Sequence, residues 1–426
     1  MDGTPKGAGD LAIADLARRI FEHMARDGDD GVGISRETYG PGESRALDYL
    51  EALAGELGFE TGRDGLGDLV VDLKGSDPAL APVVSGSHLD SVPQGGNYDG
   101  LAGFVAALLA LHATRQAGIQ PRRGLRALGL RGEESAWYGK CYIASLAMFG
   151  NLPAEDLDAV HRSGKGTLRD AMARAGVDVE AITDGRPFAD PDDFAAFIEL
   201  HIEQGPVMIA REVPVAMVTG IRGNIRHRHV VCRGRAGHSG AVPRWLRHDA
   251  VLATAELLNG MDEHWRILLE RGRDLVMTVG ILHTNPDEEA MSRIPGECSF
   301  SFEMRSQHQE TLDAFEALLR DEARTIGQKR GVAFDFDRPI PSPPAGMDEG
   351  ILAVMRRAFE AEGLKQEEIP SGAGHDAAVF ANAGVPTGML FIRNAHGSHN
   401  PDEAMDLDDF LKGVAVLTRT MQELAR

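Results

Sequence analysis

The chain has 426 residues, 43% of them hydrophobic and 26% charged, with a formal net charge of -21. That length supports a large core in two or three domains, and the composition is that of an ordinary soluble globular protein. The acidic balance excludes non-specific nucleic-acid binding, which needs a basic footprint, yet leaves room for a small anionic substrate held by a local Arg.

The opening MDGTPKGAGDLAIADLARRI lacks the uninterrupted apolar run of a secretory leader and passes into an amphipathic helix over 11–28. No stretch approaches the roughly 18 to 20 apolar residues of a membrane span, so no membrane partner is expected and the reading is cytoplasmic. A second helix over 43–58 closes at Gly58. Strands follow over 66–75 and 81–90, then a long, mostly apolar helix over 100–118. Further strands are predicted over 124–134 and 193–205. This alternation predicts an α/β layer around a largely parallel sheet.

The character changes after about residue 212. The segment 213–237 reads as strands joined by a Gly-containing turn, 248–272 as a helix, 274–283 and 296–306 as strands, 311–331 as a helix and 332–338 as a strand. This β-β-α-β-β-α-β run predicts a small two-layer α+β domain inserted into the first. The Pro- and Gly-rich RPIPSPPAGMD is the expected return linker. The boundaries are placed at 1–215 and 341–426 for the catalytic domain and 216–340 for the insert, with hinges near 212–222 and 336–346. Cys141, Cys232 and Cys298 have no CxxC spacing and read as buried, inert thiols in a reducing compartment.

Four dispersed motifs carry the chemistry. SGSHLDSVPQGGNYDG holds His88, Asp90 and Asp99; LGLRGEES holds Glu133 and Glu134; FIELHIEQGP holds His201, Glu203 and Gln204; AHGSHNPDE holds His396 and His399. A strand-like run precedes three of them and turn residues follow each, which is where α/β folds place catalytic groups. His88 and Asp90, two apart, share a face on an extended chain, and a carboxylate beside a ligating His can fix its tautomer. The Gly-Gly turn can fold Asp99 back towards His88, where its two oxygens could bridge two metals; a helix N-cap at Asp99 is the other reading. Adjacent Glu133 and Glu134 point to opposite sides of a strand, so one can ligate while the other acts as general base; a solvated acid pair is the alternative. Taken together, the inventory of two-metal type is hard to assign to surface polarity alone.

HLDSVPQGGNYDG, RGEES, HIEQGP, GRAGHSG, IPG followed by FEMR, SGAGHD and HGSHNPDE resemble the carbamoylase branch of the dinuclear metallopeptidase-like amidohydrolases. That branch includes N-carbamoyl-L-amino-acid hydrolases, β-ureidopropionase, and allantoate and ureidoglycolate amidohydrolases. The resemblance runs from about residue 10 to the end. It implies a metallopeptidase-like catalytic domain with an inserted lid and dimerisation domain, and hydrolysis of an N-carbamoyl amino acid or related ureido acid. It implies two divalent metals per subunit, drawn from zinc, manganese, cobalt and nickel. His88 and His201 would bind one, Glu134 and His399 the other, and Asp99 would bridge them. Glu133 would be the base and Asp90 would orient His88. Gln204 would contact the ureido or amide group. His238 would stabilise the oxyanion, in this family typically in the active site of the partner subunit of a homodimer. Arg305 would clamp the substrate carboxylate, and Gly372, Ala373 and Gly374 would line the pocket. Ser292 stands where the family usually has Asn. Trp137 and Tyr138, in EESAWYG, and Asn394 and His396 near the tail are further departures. These departures bear on the substrate, and an N-acyl amino acid or peptide is the alternative; a metal-free binding protein is the reading from another class.

Overall fold

The computed structural model describes residues 12–426. The reading of the leader rests largely on residues 1–11, which lie outside the described residues. The chain forms two compact units, one running to Thr219 and resuming at Gly346–Arg426, the other spanning Gly220–Ala345.

The larger unit is built on a nine-stranded mixed sheet. Its order is Glu60–Arg63, Leu69–Leu73, Leu125–Leu130, Val83–His88, Ala196–Ile202, Thr387–Ile392, Val215–Ile221 and Ala345–Gly346, with Glu368–Ser371 paired to Val215–Ile221. The four strands from Leu125–Leu130 to Thr387–Ile392 are mutually parallel, and antiparallel pairs flank them. Val83–His88, Ala196–Ile202 and Thr387–Ile392 are buried at every position. Strands covered on both faces lose apolar alternation, hence the continuous runs VVSGSH and TGMLFI. The helix Leu101–Gln116 is apolar on nearly every side and buried to match, packing on the sheet and against Leu407–Leu424. No helix among the described residues is long and apolar enough to cross a membrane.

The smaller unit is an antiparallel sheet in the order Leu282–Thr284, Glu297–Ser306, Gly223–Arg233, Ala333–Asp335. Val276–Thr278 adds to Glu297–Ser306 and Ile340–Ser342 to Gly223–Arg233. Its core joins Leu257 and Met261 of helix Ala250–Glu270 and Phe315 and Leu319 of helix Gln309–Arg330 to Phe300 and Phe302 of the sheet. Cys232 and Cys298 face each other across adjacent strands as free, buried thiols, and burial pushes Cys232 up to about 12; Cys141 is half-buried.

Four details differ from the sequence reading. Val215–Ile221, grouped there with the insert, pairs with Thr387–Ile392 in the large sheet. The span 274–283 is two three-residue strands, and the Pro-rich return segment contributes the strand Ile340–Ser342. Glu60–Arg63 is a strand without apolar alternation, which is why pattern alone passed over it.

Candidate active site

Each of the four parallel strands ends in one of the motifs. Val83–His88 ends at His88 and leads to Asp99; Leu125–Leu130 leads to Glu133 and Glu134; Ala196–Ile202 carries His201; Thr387–Ile392 leads to His399. The fourth motif therefore also follows a strand. The carboxyl ends of parallel strands form a shared rim, so residues hundreds of positions apart converge there. The Asp99 side chain does not cap the following helix; the N-cap is Gly100, at φ 67°. A Cβ on Gly100 would lie 2.4 Å from the His88 ring, so glycine meets both the backbone and the space requirement.

Asp99 divides its carboxylate between two groups. Oδ1 lies 3.5 Å from His88 Nε2 and 3.1 Å from His201 Nε2. Oδ2 lies 3.3 Å from His399 Nε2, and His399 Nε2 is 3.4 Å from Glu134 Oε1. Glu133 joins His88 and Glu134 with potential ligand atoms within 4.8 Å of one another. His88, Asp99, His201, Glu133 and Glu134 are thus brought together, with His399 at the solvent side, its side chain 53% exposed.

The donor chemistry fits divalent cations. His88 Nδ1 faces the Asp90 carbonyl at 3.1 Å and His201 Nδ1 the Ile202 carbonyl at 2.9 Å, so each ring places its proton on Nδ1. Both Nε2 lone pairs then point inward, with the Gly100 N–H as a donor to His201 at 3.2 Å. Asp99 Oδ1, buried beside them, has no hydrogen-bond partner. Three acceptors converging in this way are the arrangement a cation satisfies. Burial opposes charge on His88 and His201, but the carboxylates around them outweigh it and raise both. Asp99 and Glu134 push His399 up to about 10. Burial raises Glu133 well above the carboxylate range; His88 opposes this, and Glu134 and Asp376 add to it.

A layer of hydrogen bonds supports these groups. Asp90 lies 3.4 Å from His88 Nδ1, accepts the Thr38 hydroxyl at 2.5 Å, and accepts the main-chain N–H groups of Glu133 and Glu134. Gln204, at φ 61°, donates its amide to Asp99 Oδ2 at 2.9 Å; His399 has the same left-handed backbone. Such conformations in non-glycine residues are uncommon and concentrate at functional sites. Glu203 turns away and accepts the N–H groups of Val207 and Met208. Gly372, Ala373 and Gly374 lie in the loop between Glu368–Ser371 and Asp376–Ala383, and a Cβ on Gly374 would sit 1.7 Å from the Tyr142 hydroxyl. The Tyr142 main-chain N–H in turn donates to the Glu133 carbonyl.

Several participants went unread in the sequence. Glu199 accepts the Ser87 hydroxyl and the Ala377 N–H and forms a further ligand-type group with His201 and His375. The His375 ring packs edge-on to His201 with centroids 4.5 Å apart. Glu403 accepts the N–H groups of Tyr98 and Asp99 and the Ser398 hydroxyl. Period-two alternation placed Glu199 on the face of His201, and Glu403 closes a quoted motif, so both signals were present. Trp137, noted as a departure, donates its indole N–H to the Ser91 carbonyl and stacks on His161.

His238, Ser292 and Arg305 belong to the smaller unit. His238 is exposed on the short strand Gly237–His238, paired with Arg293–Ile294, and Ser239 donates its N–H to the Ser292 carbonyl. Arg305 stands opposite Asn224 in the sheet and pairs with Glu303 at 3.0 Å.

A buried carboxylate divided between two histidine-containing groups is the donor set of a hydrolase that works with divalent cations. The chain belongs to Peptidase family M20/M25/M40, whose sequence profile matches residues 84–423. It is 31% identical over 416 residues to an N-carbamoyl-L-amino-acid amidohydrolase of Paenarthrobacter aurescens, covering 97% of this chain and 99% of that one. It is 30% identical over 398 residues to an allantoate amidohydrolase of Escherichia coli (strain K12), covering 93% and 94%. A crystal structure of a hydantoinase/carbamoylase family amidase from Burkholderia ambifaria matches with a TM-score of 0.83 and 30% identity over 97% of this chain and 98% of that one. The resemblance drawn from the motifs is confirmed.

Proposed function

We propose that the chain hydrolyses the ureido C–N bond of an N-carbamoyl amino acid or related ureido acid. One water is consumed, and amino acid, ammonia and carbon dioxide are released. The observation that carries this reading is the Asp99 carboxylate, with one oxygen towards His88 and His201 and the other towards His399. The relatives named for carbamoyl amino acid and allantoate hydrolysis supply the substrate class.

His88, His201 and Asp99 would hold one divalent cation and Glu134, His399 and Asp99 a second, zinc, manganese, cobalt and nickel all suiting such ligands. When bound, the pair would supply Lewis-acid activation of the water and the carbonyl. Glu133 takes the proton from water and passes it to the leaving nitrogen. Asp90 holds His88 in the tautomer that leaves Nε2 free. Gln204 and the Gly372–Ala373–Gly374 loop contact the substrate amide. Arg305 offers two parallel N–H groups to the substrate carboxylate, His238 a donor to the developing oxyanion, and Ser292 a hydroxyl in place of an amide. Exposed Trp245, Leu246, Ile281, Leu282 and Met291 on the smaller unit support a homodimer formed through it. The cytoplasm is the compartment that suits this chemistry.

The test is ammonia release from N-carbamoyl-α-amino acids, N-carbamoyl-β-alanine, allantoate and ureidoglycolate, with added manganese or zinc. Chelator and Glu133→Gln serve as controls. Cation-dependent release supports the reading; no release from any of them, with cations bound, moves the substrate to N-acyl amino acids or peptides.

A further inference from the structure

Arg36 lies in the segment 29–40, ahead of every motif, and is 1% exposed. A guanidinium is rarely buried so completely, because removal from water costs several kcal/mol unless its surroundings compensate. Here Nε donates to the Leu89 carbonyl at 2.9 Å and Nη1 to Asn97 Oδ1 at 3.4 Å, while Nη2 has no partner. The Arg36 main chain completes the attachment. Its N–H donates to the Ser91 hydroxyl at 2.9 Å, and its carbonyl accepts the Ser91 N–H at 3.0 Å. Ile34 and Gly95 exchange two further main-chain hydrogen bonds, and Thr38 reaches Asp90.

These partners have a pattern. Leu89 lies between His88 and Asp90, and Asn97 lies two residues before Asp99. One rigid fork therefore grips both limbs of the loop that delivers three of the site's side chains. Gly95, Gly96 and Gly100 punctuate that loop, so its own backbone does little to fix the separation of its ends. Burial lowers the Arg36 guanidinium from its ordinary value, and the acids Glu403, Asp90 and Asp99 offset this in part.

We propose that Arg36 is a positioning residue that sets the distance between the His88–Asp90 limb and Asp99, and through it the affinity for the cation pair. This rests on the two-cation reading above. The planar fork is the feature required: a Lys at the position keeps the charge but reaches one limb only.

The test is calorimetric titration of chelator-stripped protein with manganese, in wild type, Arg36→Lys and Asn97→Ala. Both variants are expected to bind the weaker cation at least tenfold less tightly. At limiting manganese kcat should fall with KM unchanged and excess manganese should restore it, with the variant folded at both concentrations by circular dichroism, which separates lost cation affinity from a general loss of stability. Wild-type affinity in a folded Arg36→Lys protein overturns the proposal; if that variant does not fold, Asn97→Ala decides in the same way. Failure of the wild type itself to bind manganese or zinc would instead remove the two-cation reading, a separate outcome.

Discussion

The Nε2 atoms of His88 and His201 face one another at 3.4 Å, while each ring's Nδ1 is held against a main-chain carbonyl. Two ring nitrogens converge there beside the unpartnered Asp99 Oδ1, an arrangement that a cation satisfies. Cation binding should therefore stabilise the fold. Manganese or zinc at a thousandfold excess over its Kd should add about 4 kcal/mol to stripped protein and raise the Tm by several degrees. Scanning calorimetry with and without chelator checks this, and an unchanged Tm would count against the site.

Glu133→Gln keeps the shape of the side chain and removes its basicity. Two cations should still bind, as measured by elemental analysis, while kcat falls by about 10² to 10⁴. A variant that loses its cations together with activity would make Glu133 a ligand in place of a base.

Asp90 collects the Thr38 hydroxyl and two main-chain N–H groups while facing His88, so it ties the His88 loop to the Glu133–Glu134 loop. Asp90→Ala should weaken cation affinity by about 10- to 100-fold. Unaltered binding by titration would mean that the other contacts suffice to orient His88.

Asp376 is buried, with Oδ1 accepting the Ser145 hydroxyl and Oδ2 unpartnered. Burial, with Glu199 adding, raises it to about 7. An acid whose folded pKa lies above its unfolded value binds more protons when folded, so stability falls as pH rises from about 4 towards 7. Asp376→Asn removes that cost, and in stripped protein its Tm advantage over wild type should grow across this window and level off above it. Parallel pH profiles for the two proteins would falsify the assignment.

Gly374→Ala would place a Cβ 1.7 Å from the Tyr142 hydroxyl, so the ring or the loop must shift. A loss of about 1 to 3 kcal/mol is expected from overpacking. Part of it should return in the double variant with Tyr142→Phe, measured by urea unfolding. Strict additivity of the two changes would show that the hydroxyl is not the obstacle.

What could be read from the sequence depended on how locally each feature is encoded. The central strands and the helix over 101–116 follow from continuous apolar runs between glycines. The ligand-type residues stand out because each sits directly after such a run. Assigning Val215–Ile221 to the large sheet needed knowledge of its partner Thr387–Ile392, some 170 positions away, which no local pattern holds. Arg36 was invisible for a related reason. Its environment is made by Leu89 and Asn97, and an arginine among polar residues in ISRETYG looks solvated until the loop folds over it. Glu199 and Glu403 were passed over despite lying within quoted motifs, because support for a site is shared among hydrogen bonds that spacing does not display.

The side chains facing Asp99 are divided by the inserted unit along the chain: His88, Glu134 and His201 precede it, and His399 follows it. During synthesis at about 5 to 20 residues per second, roughly 10 to 40 seconds separate emergence of His201 from that of His399. Over that interval a nascent chain can assemble only the group on Asp99 Oδ1. His399, the histidine facing Oδ2, is made only after the whole inserted unit, so the group on that oxygen stays incomplete until the insert has been synthesised.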